Sequence, residues 1–326
     1  MICLGIETTA HTFGVGIIDS NGKIYANAKD AYTTSEGGIH PTFAKEHHIE
    51  CADRVIASAL EQAKLKEEDI DIVSFSQGPG LPPCLVVGMN KAKDFAKRNN
   101  LPLVGVNHCI CHLEIGKMMT KAHDPVLLYV SGANTQVIAY DGGKYRIFGE
   151  TLDNGVGNFI DGFARHLGLG FPGGPKIAEL ASKSHNYIEI PYVVKGMDIS
   201  VGGIGTNLKQ KFDSGKYSKE DLSYSLQETV FSMLVEVAER AMAHTQKKEL
   251  LLGGGVACNK RLQEMCKIMC TERNAKYYCP ENPVLVDNGL MIAWQGIIQH
   301  KHATKDYDSF DILPRWRTDD VKVDWK

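Results

Sequence analysis

Short apolar runs that end in glycine, each followed by an amphipathic stretch, recur along the chain. This alternation is typical of α/β architecture, in which strands and covering helices follow one another. The clearest helical pattern lies at residues 226–244, where apolar residues recur at spacings of three and four. Further helices are predicted at residues 47–63, 85–98, 158–167, 176–182, 260–272 and 289–300. Strands are predicted at residues 2–6, 14–19, 23–28, 70–76, 102–106, 126–130, 135–140, 145–149, 249–252 and 275–278.

Two segments, residues 4–19 and 128–141, share one pattern of apolar strand, small-residue turn and second apolar strand. Each turn carries hydroxyl or amide side chains and few bulky ones, so backbone N–H groups can approach an anion. A third segment, residues 249–259, is an apolar strand that breaks into three glycines before a helix. A helix N-terminus of this kind favours negative charge. The ordered set of three indicates a duplicated fold that binds a nucleotide, although the first two segments alone could be ordinary hairpins.

Composition narrows the class of protein. A length of 326 residues suits one large domain or two medium ones. No apolar run approaches the roughly 20 residues that span a bilayer, and the N-terminus lacks the pattern of a secretory signal. Nine cysteines without disulfide-like spacing indicate a reducing compartment. The net charge of -3 does not indicate a protein that binds nucleic acid. The lysine-rich segments 91–98 and 209–219 are more typical of solvent-exposed helix faces.

His108 and His112 are the clearest candidates for metal chemistry. They follow a predicted strand, and on a helix a spacing of four puts both imidazoles on one face. The zinc-protease motif is excluded because Cys109 stands where that motif has its glutamate. A structural zinc site with Cys109 and Cys111 is disfavoured, because residues two apart on a helix face away from each other. An alternative to metal binding is that both histidines are core residues whose ring nitrogens form hydrogen bonds within the protein.

A third ligand has to come from elsewhere in the chain. Asp287 is a candidate because it stands with Asn288 and Gly289 directly before an apolar helix. By itself, Asp287 is more typical of a helix N-cap, a role worth about 1 kcal/mol.

These motifs, taken in order, resemble the universal family of tRNA threonylcarbamoyladenosine synthases, once called O-sialoglycoprotein endopeptidases. In archaea and eukaryotes, members of the family are the catalytic subunit of the KEOPS complex. The sequences of residues 195–198, 241–244 and 317–319 resemble that branch. The matching segments cover nearly the whole chain: residues 5–7, 76–80, 105–112, 128–132, 148–153, 172–175, 194–198, 227–229, 254–257, 287–289 and 317–319.

The resemblance implies a fold and a reaction. The fold would be the duplicated α/β fold of actin, Hsp70 and sugar kinases (the ASKHA ATPases), with an interdomain nucleotide cleft. Its two subdomains would span residues 1–124 and 125–326, with the terminal helix packing back on the first. The reaction would transfer the threonylcarbamoyl group from threonylcarbamoyl-AMP to the N6 amine of the adenosine 3′ of the anticodon, in tRNAs that read codons beginning with A.

The resemblance also implies the site residues. One iron or zinc ion per subunit would be bound by His108, His112, Tyr129 and Asp287. The adenine nucleotide, threonylcarbamoyl-AMP or ATP, would be held by Tyr129, Val130, Ser131, Gly132, Ala133, Asp161, Gly174 and Asn259. Glu7, on the first hairpin, is a hypothetical general base for the attacking amine.

The implied partners are the KEOPS kinase subunit, the dimerisation subunit, the kinase-binding subunit and tRNA, with no membrane. The implied location is the cytoplasm, and in a eukaryote the nucleus as well. The chain departs from the usual family pattern at Ala133, where a glycine is common, and at Ala178, where a glutamate is common. Two alternatives stay open at this point: an ATPase or kinase of the same fold, and a scaffold subunit with weakened catalysis.

Overall fold

The computed structural model describes residues 1–34 and 38–326. The chain forms two compact units. The first comprises Met1–Tyr32, Ile39–Met119 and Val286–Lys326, and the second comprises Thr33–Gly38 and Thr120–Leu285. The segment that carries the last helix therefore belongs to the first unit. The division into actin-like subdomains at residue 124 stays a prediction.

Regular elements alternate along the described chain. The strands are β1 (Ile2–Glu7), β2 (Thr12–Asp19), β3 (Ile24–Ala31), β4 (Ile72–Gly78), β5 (Leu103–Asn107), β6 (Val126–Val130), β7 (Thr135–Asp141), β8 (Lys144–Glu150), β9 (Val194–Lys195), β10 (Asp198–Ile199), β11 (Glu249–Gly253) and β12 (Lys276–Tyr278). The helices are α1 (Pro41–Ala63), α2 (Pro82–Arg98), α3 (His108–Thr120), α4 (Val156–His166), α5 (Gly174–Ala181), α6 (Gly202–Asp213), α7 (Lys219–Thr245), α8 (Lys260–Glu272), α9 (Asn282–Leu285) and α10 (Gly289–Ile298).

Every predicted strand and helix is present, and the differences have physical causes. Helix α7 begins at Lys219 because the Ser218 hydroxyl accepts a hydrogen bond from the Asp221 N–H at 3.0 Å and caps the helix. Helix α3 gave no amphipathic pattern because His108 through Gly116 are all buried. Helix α6 was not predicted because it opens on two glycines, residues that weaken a helix.

Each unit contains one five-stranded sheet, and the two sheets have the same plan. The first has the order β3-β2-β1-β4-β5, with β1, β2 and β3 antiparallel and β4 and β5 parallel to β1. The second has the order β12-β11-β6-β7-β8, with β6, β7 and β8 antiparallel and β11 and β12 parallel to β6. The two predicted hairpins occupy equivalent places, which confirms the internal duplication.

Both faces of the first sheet are covered. Leu4 and Ile6 join the hydrophobic core formed with α1 and α2. Alternate residues point to the other face, where α10 lies against bare backbone. A Cβ on Gly16 would lie 2.2 Å from the backbone nitrogen of Leu290, so the strand needs glycine there. This close packing fixes the start of α10 against β1 and β2.

The second unit has its own core around β6, β7 and β11. The predicted apolar stripe of α7 is buried in that core: Leu226, Val230, Leu234, Val237 and Ala241. Although α7 has 27 residues, no helix in the described part of the chain is both long and apolar enough to cross a membrane.

His48, on α1, gives the first unit a sensitivity to acid. Its ring is fully buried edge-on to Phe13, with the ring centroids 5.7 Å apart. Burial, with the nearby His47 and His11, lowers the pKa of His48 to about 4, against smaller opposing effects of a hydrogen bond with the Ala10 backbone and of Asp30. The neutral ring therefore contributes stability above pH 6.5, the ordinary pKa, and that contribution is lost as the pH falls towards 4.

We expect this group alone to cost the protein about 3 kcal/mol of unfolding free energy between pH 7 and pH 4. Urea unfolding of the wild type and of His48→Leu at several pH values measures it. The variant should lose less stability than the wild type over that range. Parallel pH curves for the two proteins would show that His48 does not titrate in this way.

Candidate functional site

The first unit places His108 at the start of a capped helix. Strand β5 ends at Asn107, whose side-chain oxygen accepts hydrogen bonds from the N–H groups of Cys109 at 3.0 Å and Ile110 at 3.3 Å. The Asn107 amide donates to the carbonyl of Trp316 at 3.2 Å. The pattern of apolar residues did not reveal Asn107, although an asparagine between a strand and a histidine pair is a recognisable N-cap signal. The cap fixes the first turn of α3, and His112 follows one turn later.

Asp287 is not the N-cap of α10. Asn288 has that role, because its side-chain oxygen accepts from the Met291 N–H at 3.1 Å. The simple capping role expected of Asp287 is therefore wrong. Its carboxylate instead lies 3.3 Å from His112 Nε2 and 3.4 Å from His108 Nε2.

His108, His112 and Asp287 converge on one point. One ligand atom from each lies within 4.8 Å of the others, and both histidines are almost completely buried. Two imidazoles and a carboxylate suit a first-row divalent cation such as iron or zinc, and three protein ligands leave positions open for substrate. Burial raises the pKa of the thiols of Cys109 and Cys111, which disfavours the thiolate form that binds zinc.

The charges around His108, His112 and Asp287 favour binding of a cation. Burial opposes ionisation of Asp287, but the two histidines outweigh it and hold the pKa of this carboxyl well below its usual value. Burial lowers the pKa of His112, so its ring is neutral and offers a lone pair. Burial also disfavours the charged form of His108, yet Glu7 and Asp287 together raise the pKa of His108 well above its usual value. Negative charge around the histidines therefore favours a positive occupant.

Glu7 lies on the far side of the His108 ring from Asp287. It is the last residue of β1, it is fully buried, and its Oε2 lies 3.0 Å from His108 Nδ1. Its Oε1 accepts hydrogen bonds from the Thr9 N–H at 2.6 Å and from the Thr9 hydroxyl. The proposed role of Glu7 as a general base stays a prediction.

The second unit contains the predicted phosphate-binding turn. The Ser131 N–H donates to the Asn134 carbonyl at 2.8 Å, which closes the turn between β6 and β7. The carbonyls of Ser131 and Gly132 accept from the N–H groups of Gly157 at 3.0 Å and Asn158 at 2.8 Å. The turn is thereby attached to the first turn of α4, a region of positive helix dipole.

Comparison with known proteins identifies the family. A family model described as tRNA N6-adenosine threonylcarbamoyltransferase (TsaD) matches residues 23–294. The chain belongs to this family. It is 52% identical over 326 residues to the tRNA N6-adenosine threonylcarbamoyltransferase of Thermococcus kodakarensis, with full coverage of both chains. It is 50% identical over 326 residues to the probable bifunctional tRNA threonylcarbamoyladenosine biosynthesis protein of Methanobrevibacter smithii, of which it covers 60%.

The fold has wider relatives. The crystal structure of HypF from T. kodakarensis aligns with a TM-score of 0.64 at 16% identity, over 94% of this chain and 48% of that one. At this identity the likeness shows the fold alone. The predicted family, the duplicated α/β fold and the transferase activity are confirmed: the protein is a transferase that acts on N6 of adenosine in tRNA.

Ala133 fits the turn between β6 and β7 without backbone strain. The described non-glycine residues with positive φ are Lys64, Asn100, Lys121, Gln246 and Asn274, so Ala133 is not in the left-handed region. An alanine can therefore replace the usual glycine at this position.

Two predicted binding residues lie in β6 beside the glycine-rich segment. Tyr129 and Val130 are fully buried. Gly254, after β11, has a φ of +88°, and a Cβ there would lie 2.4 Å from the Val130 carbonyl oxygen. The third glycine segment predicted from the sequence thus packs directly against the strand that leads into the turn.

Asp161 and Gly174 adjoin one another. The Asp161 Oδ1 accepts from the Gly173 N–H at 2.7 Å and so holds the start of α5. At Gly174, the first residue of α5, a Cβ would have no neighbour within 4 Å. The open space at Gly174 is compatible with a ligand close to the backbone.

Asn259 has a structural role that the sequence did not reveal. Its Oδ1 accepts from the N–H groups of Arg261 at 2.8 Å and Leu262 at 3.4 Å, so it is the N-cap of α8. Its amide donates to Gln227 Oε1 at 2.5 Å. The contact of Asn259 with a nucleotide stays a prediction.

Proposed function

We propose that this transferase is the catalytic subunit that moves the threonylcarbamoyl group from threonylcarbamoyl-AMP to the N6 amine of the adenosine 3′ of the anticodon. Its tRNA substrates would be those that read codons beginning with A. The observation that carries this proposal is the convergence of His108, His112 and Asp287 in a chain of this family.

The three residues fit one iron or zinc ion, held by the imidazoles and by the Asp287 carboxylate. Tyr129 is proposed as a fourth ligand on the resemblance to the family alone. When bound, the cation would act as a Lewis acid that stabilises charge growing on the oxygens of the mixed anhydride.

The remaining residues would bind and orient the adenylate. Backbone N–H groups of Gly132 and Ala133 would hold the phosphate, since the turn lies at the positive end of α4, and Ser131, whose own N–H closes the turn, would keep its shape. Asp161 and Asn259 would hydrogen-bond to the ribose or the base, and Gly174 would allow close approach of the backbone. Such positioning of the anhydride against the incoming amine contributes to catalysis directly.

The partners we propose are the kinase, dimerisation and kinase-binding subunits of KEOPS, acting with tRNA in the cytoplasm. The longer M. smithii relative is described as bifunctional, which supports a second activity alongside the transferase. A net charge of -3 supports a contribution of the partners to tRNA binding, because phosphate contacts dominate that affinity.

A reconstituted assay tests the proposal. The chain and its proposed partners are mixed with threonylcarbamoyl-AMP and tRNA, and the modified nucleoside is measured by mass spectrometry. A tRNA with guanosine in place of the target adenosine is the matched control. We expect modification of the adenosine tRNA only, loss of activity on treatment with a chelator, and recovery with Fe²⁺ or Zn²⁺.

The assay also separates the alternatives. Phosphoryl transfer or ATP hydrolysis by the chain, without modification of tRNA, would indicate an ATPase or kinase. Failure to modify tRNA with all partners present would indicate a scaffold subunit. Activity that survives complete removal of metal would contradict the role of the cation.

A further inference from the structure

Glu7 contacts the metal centre at His108 Nδ1, the ring nitrogen that does not face Asp287. The Glu7 Oε2 lies 3.0 Å from this nitrogen, while His108 Nε2 lies 3.4 Å from Asp287 Oδ1. The two carboxylates therefore sit at opposite ends of one imidazole ring.

We infer that Glu7 is a positioning residue that sets the tautomer and orientation of His108 for metal binding. The inference rests on the proposed metal site. An ionised carboxylate can only accept hydrogen bonds, so a neutral His108 carries its proton on Nδ1. That leaves the lone pair on Nε2, which faces Asp287. Carboxylates behind metal-binding histidines commonly act in this way.

The geometry favours this role over that of a general base. A base has to reach the proton that it removes, directly or through one water. Both Glu7 oxygens already accept hydrogen bonds, Oε1 from Thr9 and Oε2 from His108, and the residue is fully buried. The carboxylate is therefore engaged by the protein and not presented to a substrate.

Rigid elements hold both partners. Glu7 lies on β1, a central strand that pairs with β2 and β4. The next residue is also fixed, since the Thr8 N–H donates to Ser76 Oγ at 3.0 Å. His108 begins α3 directly after its cap, Asn107. A carboxylate on a central strand and an imidazole on a capped helix give the precise second contact that a metal ligand needs.

The test is Glu7→Gln, which keeps size and shape. The oxygen of the new side-chain amide would accept from the Thr9 N–H, and its NH₂ group would face His108 Nδ1. The ring would then have to accept at Nδ1 and carry its proton on Nε2, the atom needed for the metal. We expect zinc affinity to fall about 10- to 100-fold, measured by competition with a chromophoric chelator. Activity should fall with zinc occupancy and recover as zinc is added, whereas loss of a general base would persist at full occupancy.

Glu114→Gln is the matched control. Like Glu7, Glu114 has a buried carboxylate, but it lies on α3. It pairs with Lys117 Nζ at 2.8 Å and accepts a hydrogen bond from Trp325 Nε1 at 3.1 Å. The zinc affinity of this variant should equal that of the wild type. Thermal unfolding of both variants in chelator reports any purely structural effect separately from metal affinity.

A double-mutant cycle with His108→Ala decides whether Glu7 acts through His108. In the His108→Ala protein, the weak residual binding by His112 and Asp287 is titrated at high zinc concentration, and there Glu7→Gln should cause no further loss of affinity. Unchanged affinity in the single variant, an equal loss in both backgrounds, or lost activity despite full zinc occupancy would each overturn the inference. A wild type that binds no zinc would instead contradict the proposed metal site itself.

Thr9→Val provides a second variant if Glu7→Gln does not fold. It removes the hydroxyl that contacts Glu7 and lies 3.3 Å from His108 Nδ1. Loss of one such hydrogen bond should weaken zinc binding about threefold to tenfold. Zinc affinity equal to that of the wild type would count against the inference.

Discussion

Replacing His108 or His112 by alanine is expected to remove the bound metal and to lower transfer to tRNA by at least about a thousandfold. Each substitution deletes one of the three converging ligands and leaves Asp287 with a single histidine partner. Metal content per chain and modified nucleoside per tRNA should be measured on the same samples.

His302→Ala is the control for this pair. His302 also pairs with a carboxylate, Asp324 Oδ2 at 2.9 Å, but on the exposed surface of the first unit. This variant should keep both metal and activity. Full activity in His108→Ala, or loss of metal in His302→Ala, would contradict the assignment of the centre.

The second large effect is expected from Gly16→Ala. A Cβ at this position would lie 2.2 Å from the backbone nitrogen of Leu290 and 2.3 Å from the carbonyl carbon of Gly289. Neither backbone atom can move without displacing α10 from the sheet. Overpacking of this kind should cost about 3 kcal/mol of unfolding free energy. Because Asp287 lies two residues before α10, zinc affinity should fall as well. Urea unfolding and a zinc titration measure the two effects.

Gly162→Ala is the matched glycine control. Gly162 lies within α4, and a Cβ there would meet no atom within 4 Å. Alanine should raise the unfolding free energy by about 0.5 to 1 kcal/mol, since glycine weakens a helix interior. If Gly16→Ala were as stable as the wild type, the close packing of α10 on β2 would not hold.

The periodicity of apolar residues predicted most of the helices and strands. It failed for a helix that is buried on all sides and for a helix that begins with two glycines. The stripe of α7 faces one core, so its spacing was visible in the sequence. Helix α3 is buried on all sides from His108 to Gly116, so no polar face marked it. The spacing of His108 and His112 suggested a helix there, and its start could be inferred from its cap, Asn107.

The site was predictable in part. The spacing of His108 and His112 suggested a shared ion, and the order of motifs suggested the family. The sequence alone could not decide between helix capping and metal binding for Asp287. Aspartate and asparagine are equally good N-cap residues, so the sequence does not show that Asn288 is the cap and that Asp287 is left for a metal. The contact of Glu7 with His108 joins residues 101 positions apart, and only the fold, which brings the last residue of β1 to the first residue of α3, reveals it.

Anomalous diffraction from crystals of the purified protein, recorded above and below the iron and zinc absorption edges, is the strongest test of the metal centre. We expect one peak at about 2.0 to 2.2 Å from His108 Nε2, His112 Nε2 and an Asp287 oxygen. Crystals of a fully active protein with no peak among these three side chains would contradict it.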